Sequence, residues 1–244
     1  MYRTGDALAP LVTRLRAIAS LTDADMAALL SLPYSIRVAH AGWEVAREGD
    51  TPTQCCLVID GTFCRFKMAA HGARQIVSYH IRGDVPDLQS CFLDNMDHSL
   101  VALTPGAVAF IPHQAVRQLL LDHPLFVAKL LRESFIDSSI SREWLCNVGR
   151  REAEARIAHL LCEMYTRHRA AGSANQFSFP FGLTQSAIGD SQGLSTVHVN
   201  RILQKLKKDG LIRADRTSMT ILDWPALQKV GDFDRGYLHL REAA

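Results

Sequence analysis

The chain contains no long unbroken apolar run. The two stretches free of Lys, Arg, Asp and Glu, His98 to Val116 and Ala170 to Gly189, are each interrupted by proline and glycine, so they read as strands, turns and loops rather than membrane spans. Thr13, Arg14 and Arg16 break up the N-terminal leucines, which argues against a secretory signal and for a cytoplasmic protein. No C-x-x-C pair occurs among Cys55, Cys56, Cys64, Cys91, Cys146 and Cys162. No regular disulfide framework is therefore expected, and the thiols should stay reduced and mostly pack as small hydrophobes. The chain also lacks a P-loop, a G-x-S-x-G elbow and an H-x-H pair with a following glutamate, which argues against an enzyme.

The remaining composition is that of a folded protein, with 48% hydrophobic and 21% charged positions in 244 residues, enough for two modest domains. Charge is unevenly placed. Residues 150 to 218 hold 11 Lys and Arg against 6 Asp and Glu, a net of +5, which leaves −3 for the rest of the chain. A basic segment beside an acidic remainder is the footprint of a nucleic-acid-binding module joined to a part with another task.

Leu8, Leu11, Leu15 and Ile18 recur at helical spacing, and Thr22 is placed to cap a second short helix. Gly42, Gly49, Gly61, Gly72 and Gly83 then separate short stretches such as Cys55 to Ile59, Phe63 to Met68 and Gln75 to Ile81. In Phe63 to Met68 the apolar Cys64, Phe66 and Met68 alternate with Arg65 and Lys67, which predicts a half-buried strand in an antiparallel roll or sandwich. Val101 to Ile111 continues the pattern around a Pro105-Gly106 turn. From Pro124 to Val148 no glycine and no further proline intervene, so a helix of about 37 Å is predicted. One stripe carries Phe126, Leu130, Ile140 and Trp144, and the adjacent face carries Val127, Ser134, Ser138 and Ser141. Either a buried interdomain helix or a dimerisation helix fits, and periodicity does not separate them. Gly149 is the expected hinge into the next domain, which opens with an amphipathic helix over 150–169.

The segment LTQSAIGDSQGLSTVHVNRILQKLKKDGLI, Leu183 to Ile212, carries the function. Thr184 caps one short helix, Gly193 supplies the turn, and Ser195 caps a second helix running to Lys208. Val199, Ile202, Leu203 and Leu206 fall at i, i+3, i+4 and i+7, so they face inward and leave Thr196, Val197, Asn200, Arg201, Gln204, Lys205 and Lys208 outward. That outward face has the residue types of a recognition helix entering the major groove. Leu211 to Ala214 and Met219 to Leu222 flank Arg216 as a two-stranded wing whose tip suits phosphate.

N-terminal helices, a glycine-punctuated roll, a long helix and this motif together resemble the Crp/Fnr family of bacterial transcriptional regulators over nearly the whole chain. The resemblance implies an α+β fold: an antiparallel β-roll sensor with flanking helices (1–123), a long dimerisation helix (124–148), a winged helix-turn-helix (149–228) and a C-terminal tail (229–244). It also implies a homodimer on a palindromic promoter site, with half-sites about 34 Å apart. The implied partners are double-stranded DNA, a second copy of the chain, RNA polymerase and an unidentified small-molecule effector, with no membrane partner. Candidate DNA contacts are Thr184, Gln185, Ser195, Thr196, Val197, His198, Asn200, Arg201, Gln204, Lys205, Lys208 and Arg216. Candidate effector contacts are Asp84, Asp87, Leu88, His98 and Ser99, and candidate dimer contacts are Phe126, Leu130, Ser134, Ile140 and Trp144.

The departures from the family bear on mechanism. The cyclic AMP branch resembles G-E-L followed by R-[ST], whose arginine neutralises the cyclic phosphate, whereas here Gly83-Asp84-Val85-Pro86-Asp87-Leu88 leads to Asp97-His98-Ser99. Between Arg82 and Arg117 there is no Lys or Arg, while Asp84, Asp87, Asp94 and Asp97 are present. A cyclic phosphate there meets carboxylates without a compensating cation, so cyclic nucleotide binding by the usual route is not expected. The oxygen-sensing branch holds an iron-sulfur cluster through cysteines ahead of the roll; the first cysteine here is Cys55, so that cluster is not expected either. No metal ligands or cofactor are assigned, and His80, His98, His113 and the His159/Glu163 pair read as ordinary polar residues. The glutamate that both branches use in the recognition helix falls on Val197, while Arg201 remains, so the DNA site should differ. An alternative reading is an effector-independent scaffold with a degenerate sensor, which predicts DNA binding without any ligand.

Overall fold

The computed structural model describes residues 7–241. Helices α1 (Ala9–Arg16) and α2 (Asp23–Leu30) open the chain. Leu8, Leu11, Leu15 and Ile18 are buried as their spacing predicts, and Thr22 starts α2 through a reciprocal capping box with Asp25. Seven strands follow: β1 (Ser35–Ala39), β2 (Glu44–Ala46), β3 (Gln54–Asp60), β4 (Phe63–Met68), β5 (Arg74–His80), β6 (Ser99–Ala102) and β7 (Gly106–Pro112). They form two antiparallel sheets, ordered β1-β7-β3 and β2-β6-β4-β5.

Strand β3 is buried on both faces. Cys56 and Val58 join Phe63, Leu100 and Val108 in one cluster, while Cys55, Leu57 and Ile59 join the main core beneath the helices. A strand covered on both sides reads as a continuous apolar run, which is how Cys55 to Ile59 stands in the sequence. The alternation expected in β4 holds for Cys64 and Phe66 but fails at the end of the strand, where Met68 is 53% exposed.

Helices α3 (His113–Asp122) and α4 (Phe126–Arg150) lead out of the roll. Gly149, the expected hinge, lies inside α4. The break comes two residues later, where Arg151 and Glu152 are both extended, and α5 (Ala153–Ala170) begins. Strand β8 (Ser178–Pro180), α6 (Gln185–Gln192), α7 (Thr196–Lys208), β9 (Ile212–Ala214), β10 (Ser218–Ile221) and α8 (Trp224–Gly231) complete the second domain. The two-stranded wing foreseen in the sequence has a third strand, with order β8-β10-β9.

The expected tail from 229 onward is no free tail, although 242–244 lie outside the described residues. It finishes α8, makes a 3₁₀ turn at Arg235–Leu238 and buries Leu238 to 1% exposure. The Arg241 amide then donates to the Ala17 carbonyl at 2.8 Å. Arg132 of α4 donates to the Ile18 carbonyl at 2.6 Å, so N-terminal helix, long helix and C-terminus are held together.

The two domains share one core, and polar contacts also tie α6 to strand β5 of the roll. The Tyr79 hydroxyl donates to the Ala187 carbonyl at 2.9 Å, and Arg74 pairs with Asp190 at 2.7 Å.

Candidate nucleic-acid interface and sensor cavity

The helix-turn-helix follows from local chemistry. The Thr184 hydroxyl accepts from the Ala187 amide at the start of α6, and the Ser195 hydroxyl accepts from the His198 amide at the start of α7. Between them Gly193 adopts φ +65, the left-handed conformation that ends a helix without side-chain cost. Gly189 is needed for a different reason: a Cβ there meets the Leu194 carbonyl oxygen at 2.4 Å, so only glycine lets the turn fold back on α6.

Val199, Ile202, Leu203 and Leu206 are buried, and Thr196, Val197, Asn200, Arg201, Gln204 and Lys208 are exposed on the opposite face. Val197 is 81% exposed. An apolar side chain left that bare at the start of a capped helix suits a thymine methyl. Thr184 and Ser195 are exposed beside this face, Gln185 and His198 are half-buried, and Arg216 stands exposed between β9 and β10. Lys205 is also exposed but is tied back to Glu154, with Asp209 at 3.9 Å, so its charge is already partnered within the domain.

The candidate dimer contacts divide. Phe126, Ile140 and Trp144 are 2%, 6% and 7% exposed within their own protomer, and Leu130 packs half-buried against the same core. These four residues are committed to the protomer: Trp144 stacks edge-on to Tyr79 at 5.4 Å and donates its indole N–H to Glu163. The adjacent face is the free one. Val127, Leu131, Ser134, Ser138, Ser141 and Leu145 are exposed at alternating spacings of four and three, and Phe135 beside them is 66% exposed. The three serine hydroxyls donate back to the carbonyls four residues earlier, leaving a smooth seam.

A cavity of about 280 Å³ lies between the roll and α4. Asp84, Leu88 and His98 line it as expected, whereas Asp87 and Ser99 do not. Asp87 is buried under the strand, where it accepts the Cys56 amide at 2.7 Å. Burial pushes its carboxyl up to about 7 against the pull of that hydrogen bond. Ser99 instead accepts the Glu48 amide at 3.0 Å.

The cations missing from 83–116 are supplied by other elements. Arg14 from α1, Arg65 from β4 and Arg167 from α5 all reach the cavity, and each meets a carboxylate. Arg167 donates to Asp84 at 2.7 Å and to Glu163 at 3.1 Å. Arg14 holds Glu133 at 3.0 Å and lies 3.4 Å from Asp84. Arg65 pairs with Asp137 at 2.6 Å. Burial works to lower the Arg167 pKa, but Asp84 and Glu163 outweigh it and keep the guanidinium charged. Burial raises the Glu133 pKa, with Arg14 opposing. His80 is driven well below its usual pKa, first by burial and then by Arg65 and Arg167. It therefore faces Asp84 at 3.8 Å as a neutral ring.

Glu163 and His159, read from the sequence as an ordinary helix face, occupy a junction. The Glu163 carboxylate accepts from Trp144, Tyr237 and Arg167. His159 contacts the Gly231 carbonyl and the Tyr237 hydroxyl, each at 3.1 Å. No group of His, Cys, Asp and Glu among the described residues is arranged to hold a metal.

Two domain families match the chain in the order of its two parts: a cyclic nucleotide-binding domain over residues 36–123 and a Crp-like helix-turn-helix domain over residues 155–230. The chain belongs to the Crp/Fnr family of transcriptional regulators. Among the relatives of this Crp/Fnr regulator is the transcriptional activator protein Anr of Pseudomonas protegens, 28% identical over 88% of this chain and 86% of that protein. Another is the transcriptional activator protein FnrA of Stutzerimonas stutzeri, 27% identical over 84% of this chain and 83% of that one. The fold is that of FixK2 from Bradyrhizobium japonicum, with a TM-score of 0.74 and 20% identity over 82% of this chain and 98% of that one. No helix among the described residues of this regulator is long and apolar enough to cross a membrane.

Proposed function

We propose that this regulator binds a two-fold-symmetric DNA site as a homodimer, with one α7 in the major groove of each half-site and no catalytic activity of its own. The observation that carries the dimer is the exposed apolar seam Val127, Leu131 and Leu145, flanked by Phe135, on the face of α4 that the protomer leaves uncovered. A regular four-and-three spacing with small serines between suits close packing against a second copy. Arg201 is suited to a guanine edge, Asn200 to adenine and Val197 to a thymine methyl, while Lys208 and Arg216 suit phosphate. The cavity between the roll and α4 is the effector site in this reading. A cyclic phosphate is disfavoured there because every arginine in reach already holds a carboxylate. RNA polymerase is the further partner when the protein activates, as the names of its relatives suggest.

The test is selection of the preferred duplex from random DNA, followed by affinity for that duplex and for a scrambled one across a salt series, with the mass of the complex measured in parallel. Two protomers on a palindrome, with a large specificity ratio, is the expected result. One protomer bound without sequence preference refutes the reading.

A further inference from the structure

The exposed seam on α4 has two unlike edges. With Leu131, Ser138 and Leu145 at position a of a heptad, the e edge holds Phe135, Arg142 and Gly149 and the g edge holds Leu130, Asp137 and Trp144. The e edge is open to solvent. The g edge lies toward the protomer's own roll, where Leu130 and Asp137 are half-buried and Trp144 is buried. Arg142 is exposed, and its guanidinium has no ion-pair partner among the described residues. Asp137 meets Arg65 through Oδ2 at 2.6 Å, and its side chain is 36% exposed, so Oδ1 can accept a second donor.

We infer that two copies of the chain pair through α4 in parallel and in register, so that the partner subunit's Arg142 reaches Asp137 and completes the rim of the cavity. This rests on the dimer reading above and adds its register and a residue contributed across the interface. In a parallel pair of helices each g residue faces the e residue five positions later on the other helix. That geometry sets Leu130 against the partner's Phe135, Asp137 against the partner's Arg142, and Trp144 against the partner's Gly149. The first is an apolar pair, the second an ion pair, and the third a bulky ring opposite a residue with no side chain. All three are complementary, which selects a second copy of this chain as the occupant of the face. An antiparallel pair sets g against g, the edge that each protomer's own roll covers, and sends the two DNA-binding domains to opposite ends. The cavity gains from the parallel arrangement. Arg14, Arg65 and Arg167 there face the four carboxylates of Asp84, Asp97, Glu133 and Asp137, and a guanidinium from the partner brings the two signs level.

The experiment uses the full-length parent, Arg142→Lys and Arg142→Glu, each checked for folding by circular dichroism. A zero-length carbodiimide couples a lysine ammonium to a carboxylate in contact with it but leaves a guanidinium unreacted. Arg142→Lys should therefore give a covalent dimer on denaturing gels, whose digest joins residue 142 of one chain to Asp137 of the other; the parent should lack this link. In sedimentation at low salt, Arg142→Lys should stay near the parent, whereas the dimer of Arg142→Glu should dissociate at least about tenfold more readily, since it sets two carboxylates together on each side. The gap should narrow as salt rises, which a merely structural effect does not do. A dimeric parent whose Arg142→Lys variant forms no link to Asp137, or whose Arg142→Glu variant is as tightly dimeric at every salt, overturns the inference and leaves the dimer standing. A monomeric parent overturns both.

Discussion

Arg167 of the DNA-binding domain donates to Asp84 of the sensor loop at 2.7 Å, across 83 residues of chain, and both side chains are only 6% exposed. The same guanidinium reaches the Tyr79 carbonyl at 2.7 Å and Glu163 at 3.1 Å. One side chain thus joins the sensor strand, the sensor loop and the helix under the helix-turn-helix.

Asp84→Asn leaves that guanidinium buried with one charged partner fewer, so a loss of about 3–5 kcal/mol in urea-unfolding stability is expected. Replacing both partners, as Asp84→Leu with Arg167→Met, should recover little of it, since Glu163 then loses the guanidinium that it meets at 3.1 Å and stays a buried carboxylate without a cation. A single variant as stable as the parent shows that the pair contributes nothing.

On α7, Arg201→Ala should cost about 1–3 kcal/mol in affinity for the selected duplex and relax the preference at one base position. Lys208→Ala should weaken binding about equally on all sequences and lower the salt slope by about one. Val197→Glu should alter the selected motif more than the overall affinity. Fluorescence titrations across salt, with motif selection for the Val197 variant, check all three.

Phe135→Glu places a carboxylate on the exposed face of α4 without touching the protomer core. Sedimentation should show monomer where the parent is dimeric, with an unchanged circular dichroism spectrum and DNA binding weakened at least about tenfold through loss of the second half-site. Ile140→Glu, on the buried stripe, should instead unfold the protein.

Asp87 gives a pH dependence of definite sign. Its carboxyl is pushed up to about 7 in the folded protein, above the usual value near 3.9 of an unfolded chain. Folding therefore favours the protonated form, and the stabilisation is complete below about pH 4 and lost as pH rises through about 7. Subtracting the profile of Asp87→Asn from that of the parent should leave a difference that falls across this window and is level above it. A flat difference retires the assignment.

The helix-turn-helix was legible in the sequence because its determinants are local: two capping hydroxyls, one left-handed glycine and an apolar stripe of helical period, all within thirty residues. The roll was legible for a similar reason, since turns and alternation are short-range, and β4 departed from its pattern at its exposed end, Met68. The period of α4 defined two candidate faces without ranking them. Which face is buried depended on Tyr79 and Glu163 arriving from other elements to cover Trp144. The cavity was hidden for the same reason. The absence of Lys and Arg between 82 and 117 was a true observation about the chain, but Arg14, Arg65 and Arg167 enter from three distant elements, and pairs so far apart leave no periodic trace. Local backbone preference is written along the chain, whereas the burial that decides a side chain's charge partners exists only once the elements have packed.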